Sequence, residues 1–546
     1  MEKGIRKVTI ILFLALVIPL FYGGEKAESA VQLMDGNLML KGNIDTFWIL
    51  RTHIPGQEKA SHNSNITLLL NSARFEALYS MVKQGDLTIN VQGIVRYYYE
   101  AITDLDREMH NAIHAGAGNG REFQEPSYFH DDPVNEFYID IMKGPWNIKV
   151  GKQIITWGET SLQRTSDVVN PLDLRYGNPG INPFEDLKIG LWMLRCFYQT
   201  SIFGEPLIET IFIPGDHQLF RLPPEGTNWG PGVLNSSIPN SVANGWFTVM
   251  QNLWKEDAPN RLRNIKNWQW GLRIRGQIEA LANADWTLQY LYMLDSTPVA
   301  YTPNRANQQA TAFFTEKIVL KGDVNDVKKV ADRIWDYKKT QYVGGTIQWY
   351  EEKYLKGVIR GEFALQIGKH FSTDNYYGKD VWIPAFTYKG RTLGGYYDNQ
   401  KSLVTGVVKR DSAGYGLSFD KKVLWPFLMK YNTNRALTIN AQVFQDWILN
   451  HSHTLIVSGR GRGDKNSTAM SMMLQTDWFR QELTTTWTGL YNTSGTGYNV
   501  VDFSYAPGDH WRYQIGCMFF YSFISWTKEG ASYDKDMLYF RLKYEW

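Results

Sequence analysis

The 546-residue chain balances 57 basic side chains against 55 acidic ones, and a net charge of only +2 excludes the global basic field of a nucleic-acid binder. Mean hydropathy is −0.35, yet 14% of the residues are aromatic and 47 are glycine, a mixture that suits strands with one wet and one apolar face. Past the N-terminal segment no apolar run approaches the ~20 residues that a membrane helix needs, so any crossing of a bilayer falls to strands.

The chain opens like an export leader. Lys3, Arg6 and Lys7 give a positive start, Val8 to Tyr22 an apolar run, and Ala27-Glu28-Ser29 a small-x-small cleavage site. Residues 1–29 are therefore expected to be a signal peptide and residues 30–546 a single β-domain.

Alternating segments follow in order. From Leu40 to Leu50, Leu40, Gly42, Ile44, Thr46, Trp48 and Leu50 oppose Lys41, Asn43 and Asp45. Leu87, Ile89, Val91, Gly93, Val95, Tyr97 and Tyr99 oppose Thr88, Asn90, Gln92, Arg96 and Glu100. From Trp268 to Ala280, Trp270, Leu272, Ile274 and Ile278 oppose Gln269, Arg273, Arg275, Gln277 and Glu279. The last stretch, Asp536 to Trp546, sets Leu538, Phe540, Leu542, Tyr544 and Trp546 against Tyr539, Arg541, Lys543 and Glu545. Each is the period of a strand with a greasy face and a wet one, and no amphipathic helices lie between them to cover the greasy face.

The connections alternate in length. Tight links fall at Gln84-Gly85-Asp86, Lys143-Gly144-Pro145, Gly204-Glu205-Pro206, Leu281 to Asp285, Glu351 to Lys356, Lys421 to Thr433, Phe479 to Glu482 and Pro507-Gly508-Asp509. Mostly longer stretches separate them: His53 to Asn65, Ile102 to Pro133, Gly158 to Asp186, Gly215 to Lys266, Asp295 to Thr340, Lys369 to Lys401, Asn450 to Ser467, Thr493 to Gly497 and Thr527 to Lys535. Eight turns and nine loops separate eighteen strands with both ends periplasmic, sixteen being the alternative count. The expected fold is all-β, a transmembrane antiparallel up-and-down barrel with short periplasmic turns and long extracellular loops. Thr311 to Tyr337 reads as a loop helix.

At Val150 to Arg175 the chain carries Gly151, Lys152, Gln153, Trp157, Gly158, Glu159, Asp167, Asn170, Pro171, Asp173 and Leu174. This pattern resembles the bacterial outer-membrane family filed as domain of unknown function 1302. Val358 to Phe363 and Asn434 to Phe444, with Gln442-Val443-Phe444, resemble the same family. The resemblance implies a barrel in the outer membrane of a Gram-negative bacterium. It also implies a periplasmic partner and an inner-membrane exporter, and with them envelope transport of hydrophobic compounds. The family offers no catalytic residue to carry over. The chain departs from barrels generally in ending on Trp546, where phenylalanine is commoner; a large aromatic there still suits recognition by the barrel assembly machinery.

Candidate functional residues follow from the alternation. Lys149, Gly151, Gln153, Trp157 and Glu159 point to the lumen, and the loop after them carries Arg164, Asp167, Asp173 and Arg175. Folded inward, that loop would set pore size and charge; the plainer account makes Asn170-Pro171-Leu172-Asp173 a turn and cap. Arg273, Arg275, Glu279, Arg360 and Glu362 extend a ladder of lumen charges with Arg74, Glu76, Arg96 and Glu100, which also serves as cross-strand pairing. The aromatics, among them Phe47, Trp48, Trp146, Trp270 and Tyr292, read as girdles at the lipid interface. Cys196 and Cys517 lie on distant predicted strands and are expected to be free thiols.

His451 and His453, or His110 and His114, lack the cysteine or carboxylate company of a metal site, so no metal or cofactor is expected. The Arg462-Gly463-Asp464 tripeptide is a chance match, and no nucleophile elbow or phosphate loop occurs. The expectation is a non-enzymatic channel or transporter that passes small molecules, hydrophobic ones among them, embedded in outer-membrane lipid and narrowed by inward loops. A sealed adhesin-type barrel is the alternative, and an outer-membrane hydrolase a more remote one.

Overall fold

The computed structural model describes residues 30–51, 66–101, 133–160, 165–173, 180–215, 264–300, 335–374, 381–398, 404–424, 436–522 and 536–546, apart from short gaps inside these ranges. Twenty-one strands hydrogen-bond into one sheet, and three short ones, Val31–Leu33, Leu455–Val457 and Gly461–Arg462, lie at its margins, leaving eighteen in the wall. They are β1 (Leu38–Arg51), β2 (Ile66–Gln84), β3 (Leu87–Glu100), β4 (Val134–Lys143), β5 (Trp146–Gln153) and β6 (Leu191–Gln199). Next come β7 (Leu207–Ile213), β8 (Gln269–Ile278), β9 (Ala284–Leu294), β10 (Lys339–Glu351), β11 (Gly357–Asp374) and β12 (Val404–Leu424). The ring ends with β13 (Ala436–Ile448), β14 (Asn466–Trp478), β15 (Leu483–Asn492), β16 (Thr496–Tyr505), β17 (Trp511–Ser522) and β18 (Met537–Glu545).

Each strand pairs antiparallel with the next, and β18 pairs back onto β1 from Asn43↔Glu545 to Arg51↔Met537. Closure removes the sheet edge, the condition for strands to stand in hydrocarbon without orphaned backbone groups. The expected count of eighteen is the observed one, and seven of the eight short turns lie where the sequence placed them; of the eighth, Lys421 to Thr433, the first four residues extend β12 and residues 425–433 lie outside the described residues. Two of those turns need glycine: Gly85 at φ +61° and Gly144 at φ +54° take the left-handed conformation that suits a two-residue hairpin.

Register sorts the side chains as the alternation predicts. Trp270, Leu288, Phe363, Leu417 and Ile515 are exposed on the outer face, a surface that water would not tolerate at this extent and lipid does. The inner face divides. Near the periplasmic turns it carries ion pairs. Near the long loops it carries apolar residues, with Phe47, Leu68, Leu70, Tyr498, Met518 and Tyr539 on β1, β2 and β16–β18 in one cluster. Leu191, Met193, Ile211, Leu291 and Tyr342 on β6, β7, β9 and β10 belong to another. The wall is also uneven: β5, β6 and β7 have 8, 9 and 7 residues, against 18 and 21 in β11 and β12.

Two expectations change in the wall and loops. Phe47 is not in the lipid girdle: its neighbour Trp48 takes the outer face, so Phe47 must point inward, where the Arg541 guanidinium lies 4.4 Å from its ring centroid. The predicted helix from Thr311 to Tyr337 falls mostly outside the described residues, and its last part is strand, with Trp335 and Asp336 paired to Ala300 and Val299. Cys196 on β6 and Cys517 on β17 sit on strands that are not neighbours, and both are free thiols.

The closing seam has an aromatic lock. Trp546 and Gly42 exchange backbone hydrogen bonds of 3.0 and 3.1 Å. A Cβ on Gly42 would fall 2.2 Å from a carbon of the Trp546 ring, so only glycine leaves room for the indole. Phe75 of β2 meets the same ring edge-on at 5.8 Å, which carries the contact over three strands. Trp546→Ala should weaken the barrel by about 1–3 kcal/mol, and Gly42→Val should do at least as much by expelling the ring. Heat-modifiable migration in detergent gels reads both; unchanged melting in both variants would show that the ladder alone holds the seam.

Candidate functional site

The inner wall is laced by pairs between adjacent strands: Lys149 to Asp140 at 3.1 Å, Arg195 to Glu209 at 2.7 Å and Arg541 to Asp45 at 3.4 Å. Arg360 pairs with Asp420 across β11 and β12 and donates to Gln348 on β10 at 2.7 Å. After β5 the chain leaves this wall and does not rejoin it until β6. Gly151 prepares the departure: at φ +141° its Cβ would lie 2.1 Å from the Phe137 carbonyl oxygen, so no side chain fits there.

The described parts of the segment between β5 and β6, residues 154–160, 165–173 and 180–190, lie inside the barrel, as their partners on the inner face of six strands establish. Trp157 donates its indole N–H to Glu209 of β7 at 2.9 Å. Arg273 of β8 donates to the Thr156 carbonyl at 3.4 Å and stands 3.7 Å from Glu159. Gln289 of β9 donates to the Ser166 carbonyl at 2.9 Å. Glu362 of β11 accepts from the backbone amides of Thr160 at 2.8 Å and Ser166 at 3.0 Å. Arg96 of β3 pairs with Asp186 at 3.0 Å. Gly180 lies against the ring of Tyr498 on β16, close enough that a Cβ would sit 3.1 Å from it. Ile155, Trp157 and Val169 fill the apolar cluster of β6, β7, β9 and β10.

The segment is tied to itself by buried polar groups. Asn170, with no exposed surface, accepts from the Ile155 amide at 2.9 Å and donates to the carbonyls of Gln153 at 3.1 Å and Ile189 at 2.8 Å. One side chain thus clasps the outgoing and returning arms. Lys188 pairs with Asp167 at 2.7 Å and donates to the Thr156 hydroxyl at 2.5 Å. Backbone bonds join Ile189 to Pro171 at 2.9 Å and Asp173 to Leu187 at 2.6 Å, next to the short helix α1 (Phe184–Leu187). Buried polar groups must find partners, and here they find them in each other.

Two cavities flank the segment. One of about 390 Å³ is lined by Glu159, Arg273, Arg275, Gln277, Asp285 and Gln348, among others. The other, of about 150 Å³, lies between Asp173, Asn182 and Asp186 of the segment and Asp45, Arg74, Arg96 and Arg541 of the wall. Burial pushes the Glu159 carboxyl above the ordinary carboxylate range; Arg273 opposes the shift and Glu362 adds to it.

The predicted site residues therefore divide. Glu159, Arg273 and Arg275 line the larger cavity and Asp173 the smaller. Lys149 and Arg360 are engaged in wall pairs, and Glu362 holds the segment. Gln153, Trp157 and Asp167 were expected to line a pore but are buried as fastenings of the segment; Gln153, for one, donates to the Met193 carbonyl at 3.2 Å. Glu279 is not on the lumen wall, because β8 ends at Ile278 and Glu279 begins an exposed 3-10 turn. Arg164 and Arg175 lie outside the described residues. Among residues the sequence did not single out, Lys188 and Gln289 have no local pattern to reveal them; Asn170 was visible as a turn former and a landmark of the family pattern, but not as a clasp. The His451 and His453 rings are 5.6 Å apart. Among the described residues, no cluster of three or more metal-binding side chains forms.

A closed, lipid-faced barrel with a segment folded into its interior defines an outer-membrane β-barrel of porin-like architecture. The family model described as "Protein of unknown function (DUF1302)" matches residues 70–544, and the chain belongs to that family. Among curated proteins none matches the sequence. Solved structures of similar architecture include Salmonella typhi OmpF in complex with daunomycin, at 10% identity and a TM-score of 0.39, covering 95% of this chain and 100% of that one. Acinetobacter baumannii OccAB2 aligns at 8% identity and a TM-score of 0.43, over 93% of this chain and 97% of its own. Pseudomonas aeruginosa OpdK with vanillate aligns at 8% identity and a TM-score of 0.41, over 94% and 99%.

Asn170→Asp keeps the acceptor for Ile155 but turns a carboxylate oxygen toward two carbonyls. The segment should loosen by about 2–3 kcal/mol, seen as faster amide exchange over 154–160 while wall strands keep their protection. Equal exchange in both proteins would remove Asn170 from the clasp.

Proposed function

We propose that the protein is an outer-membrane channel for small molecules, that residues 154–190 narrow it, and that residues 1–29 are removed on export. The observation that carries the proposal is the placement of that segment: its described residues are bonded to the inner face of β3, β7, β8, β9 and β11, and Gly180 packs against Tyr498 of β16. A barrel of eighteen strands is too wide for its own wall side chains to fill, so whatever crosses it must pass this segment. The cavities on either side are lined largely by charged and amide side chains, and the inner-wall cluster of β6, β7, β9 and β10 is filled by the segment. Both features favour water-soluble solutes over the hydrophobic compounds that the family resemblance suggests. No part of this function calls for a catalytic residue.

Planar-bilayer recordings test the proposal. Replacing residues 160–186 by a short Gly-Ser linker should raise the single-channel conductance several-fold, since access narrows to the constriction. Silence from both proteins would sink the channel and favour a sealed barrel that works through its long loops.

Ion selectivity should also respond to pH. Because the Glu159 carboxyl titrates above the ordinary range, it loses its charge earlier on acidification than an exposed glutamate. The passage then gains one unit of positive charge and shifts toward anions. Reversal potentials in a salt gradient would show the shift in the wild type, and Glu159→Gln should show it already at neutral pH. A variant that still shifts like the wild type would assign the effect to other groups.

A further inference from the structure

Glu362 is 4% exposed on the inner face of β11, and among the described residues no cation pairs with it. Arg360, on the same strand, gives its guanidinium to Asp420 and Gln348 instead. Among the described residues, every hydrogen bond that Glu362 accepts comes from two residues of the inserted segment. Oε1 takes the amide of Thr160 at 2.8 Å together with the Thr160 hydroxyl. Oε2 takes the amide of Ser166 at 3.0 Å and its hydroxyl at 2.5 Å. The backbone runs close by at Gly158, where a Cβ would come within 3.3 Å of Oε2.

The arrangement offers one backbone N–H and one hydroxyl to each of two oxygens. That is the demand of a carboxylate, and hydrogen bonds to an ionised acceptor are the strong ones. A carboxamide cannot meet it. Hydroxyls can rotate to accept, but a backbone N–H cannot, so either orientation of an amide sets its NH₂ against the N–H of Thr160 or Ser166. A buried carboxylate without a cation is costly unless its acceptor capacity is filled, and the segment fills it.

We propose that Thr160 and Ser166 form a carboxylate-specific cradle, that Glu362 is its built-in occupant, and that a small free carboxylate binds there when the Glu362 side chain is absent. Its importance rests on the channel proposed above: occupancy of the cradle holds the segment at its station and so sets the width of the passage. Glu362 is a positioning residue in that passage.

The test uses full-length refolded protein as wild type, Glu362→Ala and Glu362→Gln, with barrel closure checked by heat-modifiable migration. Amide exchange at Thr160 and Ser166 is read in sodium formate, sodium chloride and neutral formamide. In Glu362→Ala both amides should exchange about tenfold faster or more. Formate should restore most of the protection, whereas chloride and formamide should not. Glu362→Gln, nearly the same shape, should remain fast. Single-channel conductance of Glu362→Ala should rise and return toward the wild-type value in formate.

Unchanged exchange in Glu362→Ala overturns the cradle, as does a rise that formate leaves untouched. If Glu362→Ala fails to close, Glu362→Gln decides: wild-type exchange there overturns the carboxylate specificity. A silent wild type that shows the expected exchange pattern sinks the channel and leaves the cradle standing. A conducting wild type whose exchange ignores position 362 does the reverse.

Discussion

The structure depends on one constraint: in hydrocarbon, every backbone N–H and C=O must be satisfied from within the protein. The eighteen-membered ladder meets it for the wall, and it does so only because β18 pairs back onto β1. Once the ring is closed, the side chains are free to serve two solvents. Outward positions can be apolar without penalty, and inward positions can carry charge because an oppositely charged neighbour stands on the next strand. Lys149 with Asp140 and Arg195 with Glu209 are such neighbours. Their value is less in stability, since part-exposed pairs contribute little, than in keeping register around a wide ring.

The same constraint follows the chain inside. Irregular backbone at membrane depth has to be buried in protein or set against a water-filled space. The described residues of the inserted segment satisfy it mostly with side chains, a single short bridge between Leu172 and Lys188 standing in for a ladder. Asn170 serves one amide and two carbonyls, Glu362 serves two amides, and Gln289 serves a carbonyl. The conformation of the segment is thus written largely in long-range polar contacts, with a smaller apolar contribution from Ile155, Trp157 and Val169.

This difference explains how much could be read from the sequence. Wall strands have a period, and a period survives in sequence: Trp270, Leu272 and Ile274 against Arg273 and Arg275 needed no knowledge of their neighbours. Loop lengths supplied the topology, because a turn of a few residues can join only adjacent antiparallel strands. The segment has no period. That Asn170 clasps two arms depends on Gln153 and Ile189 meeting in space, and Asn-Pro by itself signals nothing beyond a turn. The inner face misled for a related reason. A wet face implies polar residues, but where the segment packs against the wall the face is dry. There Phe47, Met193 and Leu291 occupy inward positions that alternation alone assigns to water.

The ties of the segment also change the barrel as a mechanical object. Arg96 stands on β3 and Glu362 on β11, eight places apart in a ring of eighteen, so the bonds from Asp186 to one and from Thr160 and Ser166 to the other span nearly a full diameter. A bare hoop of strands flattens easily into an ellipse because bending spreads over every ladder. A strut across one diameter resists flattening along that axis while leaving the perpendicular axis compliant. Lateral pressure from the bilayer should therefore distort this barrel in one preferred direction, with the uneven wall, short at β5 to β7 and tall at β11 and β12, adding to the anisotropy.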